Sequence, residues 1–159
     1  MKKFAALLCA LIMLLPMAAM AETVDAFASA SVANYYGSLT GDDLMNAVNS
    51  QTGTYLICTT NPDGSANAGV FIFGVKKLND KYYIQLGLAE NQSKMNLEAN
   101  GKGLAVYACL PEEGAKPYIT NGARFYFEAI EDEAVLAELL KDARQGAMFF
   151  EIVEVLPLG

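Results

Sequence analysis

The feature that most constrains the fold is an apolar stretch that follows a tight turn. Residues 61–64 read Asn-Pro-Asp-Gly, which is a turn signal because proline fixes one dihedral, aspartate caps locally and glycine accepts a strained conformation. The stretch from Val70 to Phe73 then places bulky apolar side chains on both faces of an extended chain. A hairpin is therefore predicted, and both faces of its second strand must be buried against other parts of the protein or a partner.

The rest of the chain alternates strand-like segments with short helices. Helices are predicted at residues 41–51, 90–101 and 133–144. In the first helix Leu44, Met45 and Val48 face inward. In the second, Met95, Leu97 and Ala99 supply limited apolar contact, and Gly101 ends the helix. Several strands lack clean alternation, which predicts a closed antiparallel barrel whose outer wall is partly covered by helices or a second subunit. Six strands are predicted, at residues 54–60, 68–77, 81–88, 103–110, 123–131 and 147–155.

The N-terminus resembles a secretory signal peptide. Lys2 and Lys3 precede an apolar run that ends at Ala19-Met20-Ala21, an A-x-A cleavage pattern. A transmembrane anchor is the competing interpretation, but an apolar core of about 14 residues is short for a bilayer span of roughly 20. The sequence thus predicts a cleaved signal peptide at 1–21, a flexible arm at 22–40, one domain at 41–159, and a periplasmic or extracellular location.

Composition excludes several classes of function. Loss of Lys2 and Lys3 leaves nine basic residues against eighteen acidic ones, a formal charge of −9. Such a surface repels nucleic acid and anionic lipid, so neither is expected as a partner, and no membrane contact is expected after cleavage. The chain has no histidine, which argues against a metal site and against imidazole-dependent catalysis. Cys58 and Cys109 remain in the mature chain, either as a disulfide or as buried thiols.

The order of these parts resembles a known family. The segment "TTNPDGSANAG" is followed about 30 residues later by "SKMNLEANGKGLAVY", and the pair is similar to the FMN-binding split barrel of the pyridoxamine 5′-phosphate oxidase-like group. The compact chain looks most like the small single-domain FMN-binding proteins of that group. The resemblance implies a mainly β fold, a six-stranded antiparallel split β-barrel, and a homodimer with FMN held in clefts between subunits.

A phosphate site for FMN is predicted at the start of the second helix. Asn91 or Ser93 opens that helix, whose free N–H groups and dipole attract an anion, and Lys94 adds a positive charge. The neighbouring Gln92 belongs to the same candidate cradle. A solvated helix start is the alternative. Many members of the family supply two or more basic residues to the phosphate, whereas this segment has one; the remaining basic candidates are Lys76, Lys77 and Arg124.

The flavin ring needs a flat apolar slot lined by backbone donors and acceptors. In the resembling family the strand after the Asp-Gly turn supplies part of it, which maps onto Asn67, Val70, Phe71 and Ile72. Gly69 would allow close approach to the backbone. The alternative is that these side chains only fill the core.

The sequence therefore predicts an exported flavoprotein in which FMN carries the redox chemistry. An FMN-dependent oxidoreductase or electron-transfer protein with an unknown redox partner is favoured, and no catalytic residue is identified. The alternatives are a non-catalytic carrier of flavin or haem, and a barrel without cofactor that acts as an interaction module. Paired carboxylates at 112–113 and 131–133 are interpreted as solvated.

Overall fold

The computed structural model describes residues 36–111, 113–114 and 120–158. The predicted signal peptide and residues 22–35 of the predicted arm lie outside the described residues. Eleven elements follow one another in the described ranges: β1 (Tyr36–Ser38), α1 (Gly41–Asn49), β2 (Thr54–Thr60), β3 (Ala66–Gly69), β4 (Gly74–Leu78), β5 (Lys81–Leu86), α2 (Gln92–Asn100), β6 (Lys102–Ala108), β7 (Thr120–Ala129), α3 (Glu133–Leu140) and β8 (Met148–Leu156).

The strands form one sheet in the order β3-β2-β6-β7-β8-β5-β4. All neighbours in this order are antiparallel. β1 is an addition at the margin, parallel to the start of β7 and opposite Thr120 to Gly122. The predicted mainly β architecture with three short helices is confirmed.

The strand count differs from the six that were predicted. Strand β1 was not predicted, and it occupies residues 36–38 of the predicted flexible arm. The predicted strand 68–77 is two strands, because β3 pairs with β2 at one end of the sheet and β4 pairs with β5 at the other. Residues 70–73 lie outside both ladders and connect these two edges. The three predicted strands at 54–60, 68–77 and 81–88 therefore do not pair in succession but form two hairpins at opposite edges of the sheet.

Phe73 lies at the centre of the barrel and links its two sides. Its ring meets Tyr55 of β2 edge-on at a centroid distance of 5.0 Å and Phe125 of β7 at 5.7 Å. Since Phe73 is only 3% exposed, the connecting segment packs over the interior of the curled sheet. Among the described residues no ladder joins β3 to β4, so side-chain packing fills this seam of the barrel.

Helix α1 covers one end of the barrel. Leu44 and Val48 face the core as predicted, while Tyr55 donates a hydrogen bond to the Val48 carbonyl at 2.6 Å. The amide of Asn49 donates to the Val75 carbonyl at 2.8 Å and accepts from the Val75 N–H at 2.9 Å. This side chain thus pairs with the free side of edge strand β4, which protects that edge from other chains.

Helix α2 buries a polar face. Ser93, Asn96 and Leu97 are its buried residues, whereas Met95 is 58% exposed. Of the residues predicted to supply apolar contact, Leu97 is thus buried and Met95 is largely exposed, because α2 docks on a polar part of β2. No helix in the described part of the chain has the length and apolar character needed to cross a membrane.

Helix α3 covers the outer face of the sheet. Asp132 caps it by accepting hydrogen bonds from the N–H groups of Ala134 at 2.9 Å and Val135 at 3.3 Å. Leu139 packs with Tyr83 and Phe149 in a second, smaller apolar cluster outside the barrel. Helix α3 of the same chain thus covers the apolar residues on the outer face of β5 and β8.

Candidate functional site

The start of α2 is defined by Asn91. This residue is extended, with φ −154°, and its side chain accepts a hydrogen bond from the Lys94 N–H at 3.0 Å. At the other end Gly101 adopts a left-handed conformation, with φ 65°, and its N–H donates to the Leu97 carbonyl at 2.9 Å. Of the two predicted helix starts, Asn91 is the one observed.

A network of neutral polar side chains anchors α2 to β2 and β3. Asn67 donates to Thr59 Oγ1 at 3.0 Å and to Ser93 Oγ at 2.9 Å. Asn96 donates to Thr59 Oγ1 at 3.0 Å and accepts from Gln92 Nε2 at 2.8 Å. Every buried side-chain nitrogen and oxygen in the described ranges has a partner. The structure therefore brings Asn67, Gln92 and Ser93 together, and their side chains fix the position of α2.

Lys94 lies between two carboxylates. Its ammonium group forms ion pairs with Glu90 and, at 3.3 Å, with Glu98. The hydrogen bonds to Glu90 and then to Glu98 raise the pKa of Lys94. The cation at the predicted cradle is thus shared by two acidic groups, and a phosphate there would compete with both. The residues fit a phosphate poorly for this reason, although the helix start itself is placed as predicted.

The predicted ring segment is divided between the core and the surface. Val70 is 73% exposed and Ile72 is 65% exposed, while Phe71 is half-buried and packs against the main core. A Cβ atom on Gly69 would overlap the Phe71 ring, so the space at Gly69 is already filled by this chain. The alternative that these residues only fill the core does not hold for Val70 and Ile72.

The backbone of residues 70–73 lies between the two edge strands and belongs to neither ladder. Within the described ranges no backbone hydrogen bond of these four residues is found. Backbone polar groups in a folded protein are normally paired with protein, water or a ligand. Exposed apolar side chains next to free donors and acceptors are the surroundings that a flat heteroaromatic ring requires. The residues present fit the ring of a flavin better than its phosphate.

A cleft of about 590 Å³ adjoins this segment. Ile72 and Phe73 form one wall, Gln85 and Gly87 at the end of β5 form another, and Arg144 lies on the loop before β8. We call this cavity the Arg144 cleft. Its volume is within the range of about 300 to 1,000 Å³ that is typical of small-molecule sites. Sequence reasoning missed Arg144, because only the pairing of β5 with β8 and β4 brings its loop near Ile72.

The other basic candidates do not meet at one site. Lys77 pairs with Asp42 at 3.2 Å, and the Arg124 Nε donates to the Pro157 carbonyl at 2.8 Å. Lys76 Nζ lies 5.2 Å from the centre of the Phe149 ring. Among the described residues, no group of three or more His, Cys, Asp or Glu side chains is arranged to hold a metal ion.

The two cysteines are free and far apart. Cys58 lies opposite Leu104, while Cys109 follows the Ala108 that is opposite Thr54. Five residues of strand separate the two positions, about 17 Å, whereas a disulfide needs Cα atoms within about 7 Å. Burial raises the pKa of the Cys58 thiol. Of the two alternatives that the sequence left open, the structure therefore has the thiols.

No protein-family model and no curated protein matches this sequence. The fold is similar to the crystal structure of an FMN-binding protein from Syntrophomonas wolfei subsp. wolfei, with a TM-score of 0.53 and 18% sequence identity over 74% of this chain and 85% of that chain. It is also similar to a variant of HupZ from Group A Streptococcus, with a TM-score of 0.51 and 16% identity over 76% of this chain and 100% of that chain. Together with the observed sheet, these similarities confirm the predicted split β-barrel, the fold that this chain shares with the FMN-binding protein.

Proposed function

We propose that this chain is a flavin-binding split-barrel protein that holds FMN against residues 70–73 and in the Arg144 cleft. The observation that carries the proposal is the pair of exposed apolar side chains, Val70 and Ile72, on a backbone segment without hydrogen bonds in the described ranges. The shared fold with an FMN-binding protein supports it. Bound FMN would supply the electron or hydride chemistry, and Val70 and Ile72 would exclude water from its ring.

Titration of the purified protein with FMN and riboflavin tests this proposal. Val70→Ser with Ile72→Ser should weaken the binding of both flavins by about tenfold or more, because apolar contact of roughly 1.5 to 3 kcal/mol is lost. Val153→Ser is the matched control, since Val153 is 50% exposed on β8 and should leave affinity unchanged. A protein that binds neither flavin rules out the proposal. A Soret band would indicate a haem carrier, and a colourless protein an interaction module.

A redox role is proposed on the same basis. The bound flavin should be reduced by a chemical donor and reoxidised by an added acceptor, which stopped-flow absorbance would follow. Rapid exchange of electrons would support an oxidoreductase or electron-transfer protein. A flavin that binds but exchanges electrons no faster than free flavin would indicate a carrier instead.

We further propose that a second copy covers the outer face of β2, β6 and β7. Cys58, Leu104 and Tyr126 are directly opposite one another there and line a groove of about 400 Å³. A homodimer would explain why these strands carry apolar residues on both faces. Leu104→Glu should convert a dimer to a monomer in sedimentation measurements, whereas a wild-type protein that is monomeric at high concentration would refute the proposal.

Export is proposed from the N-terminal sequence. Expression in a bacterium with intact secretion should yield a mature protein outside the cytoplasm that begins at Glu22. Mass spectrometry of the purified chain would detect an uncleaved N-terminus, which would contradict this part of the proposal.

A further inference from the structure

We infer that Arg144 binds the anionic group, a phosphate or carboxylate, of an organic ligand whose apolar part lies on Ile72. The inference deepens the proposed function and rests on it only where the ligand is a flavin. It starts from the chemistry of the Arg144 cleft itself.

The charge of the cleft is opposite to that of the chain. The whole chain has a formal charge of −7, yet the described residues that line the cleft include no carboxylate and a single charged group, Arg144. No ion pair or hydrogen bond of its guanidinium is found within the described ranges, and Asp142, two residues earlier, makes none with it. An arginine in this setting retains its full capacity for a bidentate contact with phosphate or carboxylate.

The remaining walls specify the kind of molecule. Ile72, which is 65% exposed, offers an apolar surface, while the amides of Gln85 and Gln145 can donate or accept hydrogen bonds. A cavity of about 590 Å³ is large enough for a molecule with one or more rings and too large to be filled by a small inorganic ion. The ligand class is therefore an organic anion with an aromatic or other flat apolar part.

Lys94 provides the contrast. It is the cation that the sequence pointed to, but two carboxylates, Glu90 and Glu98, already pair with it. A ligand phosphate at Lys94 competes with two existing charge-assisted contacts, whereas no carboxylate in the described ranges pairs with Arg144. The stronger net attraction for an anion is thus in the cleft.

The experiment uses phenyl phosphate, which combines a ring with an anion, and isothermal titration of the full mature protein. Arg144→Gln should weaken its binding by at least about tenfold, the value of one charge-assisted contact. Lys94→Gln, the matched control, should change it less than about twofold because Lys94 is already paired. Arg144 is exposed, so Arg144→Gln should keep the wild-type unfolding midpoint, while Lys94→Gln loses two ion pairs to exposed carboxylates and should lower it only slightly.

Titrations with FMN and riboflavin then identify the source of the anion. If Arg144→Gln weakens phenyl phosphate and FMN but not riboflavin, the anion is the phosphate of the flavin; if it weakens phenyl phosphate but neither flavin, the anion belongs to a second molecule. Either result supports the inference. Unchanged binding of phenyl phosphate in Arg144→Gln, or no binding to the wild type, overturns it. Failure of the proposed function is distinct, since neither flavin would then bind while phenyl phosphate still does.

Discussion

Replacement of Asn96 by alanine should strongly destabilise the domain, although Asn96 is a polar residue on a short helix. Asn96 is 2% exposed and donates to Thr59 Oγ1 at 3.0 Å and to Asn61 Oδ1 at 2.9 Å, while it accepts from Gln92 at 2.8 Å. Each such hydrogen bond contributes about 0.5 to 1.5 kcal/mol. The expected loss is about 3 kcal/mol, since Thr59 retains its bond from Asn67.

Urea unfolding monitored by circular dichroism measures this loss. With a slope of about 2 kcal/mol per molar urea, typical of small domains, the midpoint should fall by about 1.5 M. Met95→Ala is the control on the same helix, and because Met95 is 58% exposed it should change stability by less than about 0.5 kcal/mol. A loss below about 1 kcal/mol for Asn96→Ala, or equal losses for both variants, would show that the polar network does not anchor α2.

Three further results are expected. Phe73→Ala removes the ring that contacts Tyr55 and Phe125 and should lower the unfolding free energy by about 3 to 5 kcal/mol; a loss under about 1 kcal/mol would contradict its central place. Gly69→Val should cost about 1 to 3 kcal/mol in the same assay, because the new side chain meets the Phe71 ring, and a neutral effect would disprove that crowding. Burial, followed by the hydrogen bond with Cys109, raises the pKa of Tyr107 to about 12, above its unfolded value of about 10. The protonated Tyr107 therefore adds about 2 to 3 kcal/mol to the free energy of unfolding below about pH 10, and this contribution is lost as the pH rises towards 12. Tyr107→Phe should flatten the dependence of the unfolding free energy on pH between about 10 and 12. An unaltered dependence would refute the raised pKa of Tyr107.

The sequence predicted the elements of the fold well because their signals are local. The turn at 61–64, the N-cap Asn91 and the C-terminal Gly101 each act through hydrogen bonds within a few residues. The split of strand 68–77 was not predictable in this way. Residues 66–69 and 74–78 have the same extended conformation, and only their partners β2 and β5 distinguish them.

The candidate site was predicted only in part, because only some of its residues have a local sequence signal. Ile72 was found because it follows a turn, but Arg144 is 72 residues away in sequence and meets the cleft only through sheet pairing. Apolar contact by Met95 was predicted from its hydrophobicity, yet α2 docks largely through Ser93 and Asn96. A polar helix face is recognised only once the polar surface opposite it, here Thr59, is known.

The short connection between β3 and β4 also limits how far the barrel can open. Five residue steps separate Gly69 from Gly74, and a fully stretched chain of that length spans at most about 18 Å. The short loop thus limits the separation of the edge strands β3 and β4, even when the side chains between them do not pack. Loss of the packing at this seam therefore cannot unroll the sheet while both hairpins remain formed.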